Sequence, residues 1–495
     1  MLGFQLVESP YQTGVTPLLD VIIIGAGISG CATARELARW DLDVLVLEAG
    51  YDLACGASRT NSGIVHGGFD PVPGTAKARY NVAGARAIPG LAQELGFRYR
   101  NNGSMVLALS DADLPVLDEL LGRGRENGLA DLRIVGQDEL RALEPNVSPD
   151  AIAALVCEES GICDPFGMTV AFAENAATNG VTFRFDARVS GVERAEGGWA
   201  VALASGERLE ARCVVNAAGV HAIDLHNQVS AEKLAATPRL GEYELLSRDM
   251  GETFAHTMFQ APGPLGKGVL VSPTVEGNLI VGPDALDTDD PDATPTTPEG
   301  LAGVVALARR TWPGYNGREV ITNFAGVRPS GADGDFVIGE PEDAPGFFDI
   351  CAFDSPGLTS APCVAADVAT WVAERLGAPK NPAFEPHRAM PRRLLEMSEE
   401  ERAEAIAADP ALGHIVCRCE QVSEREVLEA IHAPIPALTI TGIKRRCRAG
   451  TGRCQGGFCG PLVAELVCRE TGMSIDQVRL GADGSEIAPI LRGEA

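Results

Sequence analysis

Apolar and polar residues change rhythm several times along this chain, and each change marks an element. Val21–Ile24 is an unbroken apolar run closed by glycine, which predicts a strand buried in a parallel sheet. It flows into "GAGISG" and then into the helical stretch "CATARELARW", after which "DVLVLE" reads as a second strand. "RCVVNAAG" (212–219) reads as a buried strand ending in small residues. "DSPGLTSAP" (354–362) is a turn opening the helix "CVAADVATWVAERL". Near the carboxyl end "SEEERAEAIAAD" is an acidic helix, and Ser423 with Glu426 forms a capping box at the start of a short one. Strands alternating with helices predict an α/β fold. No run of eighteen or more apolar residues occurs, so nothing is expected to insert directly into a membrane.

Composition narrows the picture. At 495 residues the chain exceeds one compact core and predicts two or three domains. A net charge of −27 argues against nucleic acid or an anionic membrane surface as a general partner. If the substrate is an anion, positive charge must be supplied locally. The opening "MLGFQLVESPYQTGVTPLLD" shows no basic region followed by an apolar core, so no secretion signal is expected. Thirteen cysteines are then read as thiols or metal ligands in a reducing cytoplasm, with any membrane contact made through a partner subunit.

The first chemistry lies in the strand–turn–helix at 20–50. Gly25 permits the tight turn, Gly27 lets the backbone approach a pyrophosphate, and Gly30 allows close helix–strand packing. The helix N-terminus around Ser29 attracts phosphates. Glu48, eighteen residues after Gly30, would accept hydrogen bonds from an adenosine ribose. The unit predicts a dinucleotide without separating FAD from NAD. The small, polar, glycine-rich stretch 54–81 that follows suits a loop wrapping an extended cofactor, and favours FAD.

Within that stretch "GASRTNSGIVHGG" resembles the second flavin-contacting segment of the D-amino-acid-oxidase-like flavoprotein superfamily. The match is best to its branch of FAD-dependent glycerol-3-phosphate dehydrogenases and oxidases and L-2-hydroxyglutarate dehydrogenases. It continues in order through "EPNVSPDAIAAL", "GICDPFGMT", "VVNAAGVHA", "GEYELL", "GVLVSPTVEGNLIVGP", "FAGVRPSG" and "DSPGLTSAP", over roughly residues 20 to 378. The resemblance implies a Rossmann-like FAD-binding domain interleaved with a mixed-sheet substrate domain. It implies FAD contacts at Ser58, Asn61, Ser62, Val189, Ala218, Gly219, Gly357 and Leu358. The FAD-binding segments are expected at about 20–90, 145–235 and 325–378, and the substrate segments at about 91–144 and 236–324.

Oxidising a secondary alcohol needs a base for the hydroxyl proton while hydride moves to the flavin. The resemblance implies that His66, in "SGIVHGG", is that base. It implies that Arg328, whose planar fork suits phosphate or carboxylate, binds the substrate anion. Lys267 is a weaker candidate for the same task, and Ser355 matches a substrate-contacting serine. His221 and His226 are read as structural. A small anionic 2-hydroxy compound is the expected substrate: the resemblance implies sn-glycerol 3-phosphate, oxidised to dihydroxyacetone phosphate, with L-2-hydroxyglutarate as the runner-up and the amine substrates of other superfamily members as a further alternative.

The last hundred residues change character. Residues 379–412 read as a linker, 413–475 as a separate small domain, 476–495 as a tail, and 1–19 as an extension without an assigned role. In the small domain Cys417-x-Cys419 is followed after thirty-four residues by Cys454-x4-Cys459. Four thiolates fit zinc or a [2Fe-2S] cluster. "VCRCE" and "RAGTGRCQGGFCG" resemble ferredoxin-like domains of the bacterioferritin-associated type, which favours the [2Fe-2S] cluster and implies electron transfer to an acceptor or redox partner subunit. Cys447 is read as a non-ligand. The basic stretch "KRRCRAGTGR" (444–453) is expected either to offset the cluster's negative charge or to be a solvated loop.

Overall fold

The computed structural model describes residues 18–263 and 268–487, so Lys267 and most of the 1–19 extension lie outside the described residues. The apolar run predicted at the start forms the strand Leu19–Ile24, whose side chains are almost wholly buried. It pairs in parallel with Val44–Leu47 on one side and with Arg208–Asn216 on the other. Thr182–Arg184 extends the parallel set beyond Val44–Leu47, and Phe347–Cys351 beyond Arg208–Asn216. An antiparallel hairpin, Val189–Ala195 with Gly198–Leu203, leans on the start of Arg208–Asn216. The helices Ile28–Leu37, Pro165–Thr178 and Gly357–Leu376 pack on this sheet through Ala, Val and Phe side chains, and Ala76–Leu95 packs on Gly357–Leu376. Gly84 makes that last approach possible, since a Cβ there would sit 1.9 Å from the Thr359 carbonyl oxygen.

A second, nine-stranded sheet is mixed. Eight of its strands run in the order 286–287, 239–246, 279–282, 270–273, 257–260, 104–108, 153–157, 132–136, and Val320–Arg328 pairs separately with Arg239–Leu246. Only the 104–108 and 257–260 pairing is parallel. Three expected segment limits shift here. Ala76–Leu95 packs as one helix with the first domain, so that segment runs past 90. Ala153–Cys157 belongs to the second sheet rather than to the FAD-binding side, and Val320–Arg328 carries that sheet to 328. An all-apolar strand such as "AALVC" reads the same in either sheet, which is why the sequence misplaces it.

The third body holds the strands Ile415–Cys417 and Val422–Ser423 and the helices Glu424–Ile431, Ile440–Cys447 and Gly460–Thr471 around its own core. Ser423 and Glu426 form the predicted capping box. Residues 379–412 are not a free tether. Asn175 donates to the Glu385 carbonyl at 3.0 Å, Arg388 pairs with Glu174 at 2.7 Å, and Lys380 lies 3.3 Å over the Trp40 ring. Proline and arginine content suggests a linker; the partners that pin it are two hundred residues away in the chain.

Candidate active site

One cavity of about 1600 Å³ runs between the two sheets, from Glu48 and Tyr51 at one end to His66, Arg328 and Ser355 at the other. It is lined by Gly25, Gly27, Ser29, Glu48, Ser58, Asn61, Ser62, Val189, Ala218, Gly219, Gly357 and Leu358. Gly30 does not line it. Its work is in the turn: a Cβ at Gly30 would sit 1.9 Å from the Gly25 carbonyl oxygen. Gly25 itself has φ +105, with the Ala217 carbonyl 2.4 Å from where a Cβ would stand.

The residues fit a dinucleotide. No side chain caps the helix Ile28–Leu37 at Gly27, so its first turn presents backbone N–H groups to the cavity. Ser58 accepts the Ile28 N–H at 2.9 Å and fixes the loop over that turn. Asn61 braces the next turn, donating to the Ser58 carbonyl and accepting the Gly63 N–H, both at 2.9 Å. Glu48 is oriented by the N–H groups of Ala26 and Gly50, each 2.7 Å from a different carboxylate oxygen. Burial raises its pKa, while those two N–H groups and Arg445 pull it down. Carboxylate lone pairs remain for ribose hydroxyls. At the other end the helix Gly357–Leu376 also begins without a side-chain cap.

His66 is held by its backbone. Its N–H donates to Thr359 Oγ1 at 3.0 Å and its carbonyl accepts from Asn81. The ring stacks on Phe259, centroids 5.9 Å apart, and its Nε2 lies 3.5 Å from Ser355 Oγ. Arg328 is the last residue of its strand and donates to the Asp284 carbonyl at 2.6 Å, with the Tyr243 hydroxyl nearby. Burial raises the Tyr243 pKa, and the guanidinium opposes that rise.

Tyr243 and Lys77 are among the lining residues that escaped the sequence reading. Tyr243 lies in "GEYELL", whose alternation predicts a strand but not which side chain faces the cavity. Lys77 pairs with Asp354 at 2.6 Å, beside Ser355, although nearly three hundred residues separate them. His221 lines the cavity and meets Asp292 at 3.1 Å. His226 is buried against Asp349 at 2.7 Å, and that hydrogen bond raises its pKa.

Cys417, Cys419, Cys454 and Cys459 stand as two neighbouring pairs: the Cys419 and Cys454 sulfurs are 3.8 Å apart, and Cys417 and Cys459 lie close enough to shift each other's pKa. Among the described residues no three metal-binding side chains gather around a single point. Paired thiols suit a two-iron cluster better than one tetrahedral zinc ion. Cys459 lowers Cys417 to about 6 and Cys417 raises Cys459, while the Phe458 N–H lowers Cys454. Cys447 stands apart, donating to the Ile443 carbonyl at 3.3 Å, its pKa pushed up to about 12 by burial.

A dinucleotide crevice at the ends of parallel strands, shared with a mixed second sheet, defines a dinucleotide-dependent oxidoreductase fold. Residues 20–371 match the FAD dependent oxidoreductase family and residues 415–469 the BFD-like [2Fe-2S] binding domain. The chain belongs to the FAD dependent oxidoreductase family, and its cofactors are FAD and a [2Fe-2S] cluster.

Among individual relatives, a glycerol 3-phosphate dehydrogenase of Caloramator mitchellensis is 39% identical over 95% of this chain and 98% of its own. A glycerol 3-phosphate oxidase of Mycoplasma pneumoniae is 32% identical over 70% of this chain and 93% of its own. The dithionite-reduced L-alpha-glycerophosphate oxidase of Mycoplasma pneumoniae, solved with FAD bound, superposes with TM-score 0.72 at 29% identity, over 76% of this chain and 100% of that one.

Proposed function

We propose that the protein oxidises sn-glycerol 3-phosphate to dihydroxyacetone phosphate and passes the electrons outward through its iron–sulfur domain. The observation that carries this reading is the full-length likeness to a glycerol 3-phosphate dehydrogenase, which spans both the flavin and the cluster domains. Bound FAD supplies a two-electron acceptor for the substrate's hydride, and the cluster supplies a one-electron outlet.

The chain's own residues do the rest. His66 Nε2 takes the hydroxyl proton as the C–H hydride leaves, so that a C–O single bond becomes the ketone. Ser355, within reach of that nitrogen, orients the hydroxyl. Arg328, held by the Asp284 carbonyl, holds the phosphate. The mixed second sheet walls this end of the cavity and limits water.

L-2-hydroxyglutarate is the second reading, favoured by a dehydrogenase for that acid in Escherichia coli, 30% identical over 54% of this chain and 64% of its own. Amine substrates have weaker support: a glycine oxidase of Geobacillus kaustophilus shares the fold at 22% identity. The electron acceptor is proposed to be a separate redox partner. Among the described residues no helix is long and apolar enough to cross a membrane. Anaerobic bleaching of the flavin band by a panel of glycerol 3-phosphate, L-2-hydroxyglutarate, sarcosine and proline tests the reading. Fast bleaching by glycerol 3-phosphate alone is expected. Bleaching by an amine with none by the phosphate would overturn it.

A further inference from the structure

The basic stretch 444–453 neither floats in solvent nor simply surrounds the cysteines. Arg453 pairs with Glu319, at 2.6 Å, and Arg448 with Glu276 at 3.4 Å, both on the second sheet's side. Arg446 makes a two-pronged contact with Asp52, Nη1 to Oδ2 at 2.8 Å and Nη2 to Oδ1 at 2.9 Å. Both side chains of that pair are only 5% exposed. Arg445, also buried, donates to the Leu53 carbonyl at 2.9 Å, the Tyr51 hydroxyl at 3.2 Å and Cys55 Sγ at 3.4 Å.

Asp52, Leu53, Tyr51 and Cys55 form a single loop, which joins Glu48 to Ser58. Gly50, Tyr51 and Cys55 line the cavity, as does Ala482 from the last described segment of the chain. Cys55 packs on Gly50, where a Cβ would stand 2.6 Å from Cys55 Cβ, and the Gly50 N–H orients Glu48. Gly442 lets the helix Ile440–Cys447 come this close, because a Cβ there would meet Asp52 Oδ2 at 2.5 Å.

We infer that Arg445 and Arg446, from the iron–sulfur domain, are positioning residues for FAD: by gripping the 51–55 loop they complete one wall of the dinucleotide cavity and set its affinity for the cofactor. The two guanidinium groups hold one short loop at four residues, through the Leu53 carbonyl and the side chains of Tyr51, Asp52 and Cys55, which a pair of lysines could not do. The buried Arg446–Asp52 pair adds specificity of docking, since removing either partner strands a buried charge. Cofactor retention is therefore a property of two domains. The inference rests on the cavity being the FAD site and is independent of the substrate oxidised.

The test uses the full chain. FAD dissociation constants are measured by flavin fluorescence after gentle removal and titration back, with iron content and hydrogen exchange of residues 50–58 followed in parallel. Arg446→Met and Gly442→Ala should raise the dissociation constant about tenfold or more, the scale of a lost charge-assisted contact. Loss of protection over 50–58 should accompany it, with iron still bound. Arg445→Lys, which keeps the charge and loses the fork, should show a partial effect. Tyr51→Phe removes one hydrogen bond, and should weaken FAD binding measurably even if Arg446→Met fails to fold. Wild-type FAD affinity in Gly442→Ala, Arg445→Lys and Tyr51→Phe would overturn the proposal.

Discussion

Replacing Arg328 with alanine tests the anion site most directly. The guanidinium is already held before substrate arrives, by the Asp284 carbonyl at 2.6 Å. It also lies against Gly241, where a Cβ would stand 2.5 Å from Nη2. A prepositioned fork loses little freedom on binding a phosphate, so the contact should be worth its full charge-assisted value of about 1.5–3 kcal/mol. That corresponds to a fall of roughly 10- to 150-fold in kcat/KM, at about 1.36 kcal/mol per factor of ten. Neighbouring cations should compensate poorly. Arg239 is engaged with Asp287 at 3.0 Å and Lys77 with Asp354 at 2.6 Å. The chain's net charge of −27 offers no help at longer range. Steady-state rates with an artificial acceptor, on glycerol 3-phosphate and on uncharged glycerol, separate the roles. The charged substrate should suffer strongly and glycerol hardly at all, with Arg328→Lys restoring only part. Equal losses on both substrates would refute the anion-binding role and assign Arg328 to the fold or the flavin.

Three further outcomes are expected. His66→Ala should slow substrate-driven flavin reduction by about 10² to 10⁴ while dithionite reduction stays normal, read by anaerobic stopped flow; a wild-type rate would make His66 structural. His226 has a folded pKa raised by its bond to Asp349. Its contribution to stability is thus full below an unfolded value of about 6.5 and is lost as pH rises through the higher folded value. Melting temperatures across that window should converge between wild type and His226→Gln toward high pH, and parallel curves would refute the linkage. Cys454→Ser should lose iron, whereas Cys447→Thr should keep it, because a threonine hydroxyl can still donate to the Ile443 carbonyl; iron analysis and the visible spectrum decide both.

What the sequence made legible was local. Gly25, Gly27, Gly30 and Glu48 lie within one strand–helix–strand unit, so their spacing alone conveys the phosphate turn and the acid. The same holds for the Ser423–Glu426 cap. Contacts that join distant segments left no such trace. Lys77 with Asp354, Arg328 with Tyr243, and Arg446 with Asp52 each need the tertiary fold to meet. The segment 444–453 shows the cost of that blindness. Five cations in ten residues suggest solvent or a counter-charge to the cluster; Arg446, Arg448 and Arg453 also meet carboxylates on other bodies of the molecule, although Arg448 lies closer, at 2.8 Å, to Glu420 beside Cys419. For residues 379–412, composition likewise cannot report that Glu385 and Arg388 dock on the helix Pro165–Thr178.

The order of strands in the first sheet governs the protein's birth on the ribosome. Leu19–Ile24 emerges first, but its neighbour Arg208–Asn216 follows only after the intervening hairpins and helices, and Phe347–Cys351 later still. A nascent chain that has made its glycine turn therefore has no closed crevice to offer. Long-range pairing of this kind is slow, and exposes apolar strand edges while it waits. The loop at 51–55 is synthesised almost four hundred residues before Arg445 and Arg446, which hold it (Leu53 to Arg445 is 392 residues). The contacts that Arg445 and Arg446 make with that loop are thus absent until the third body has been made.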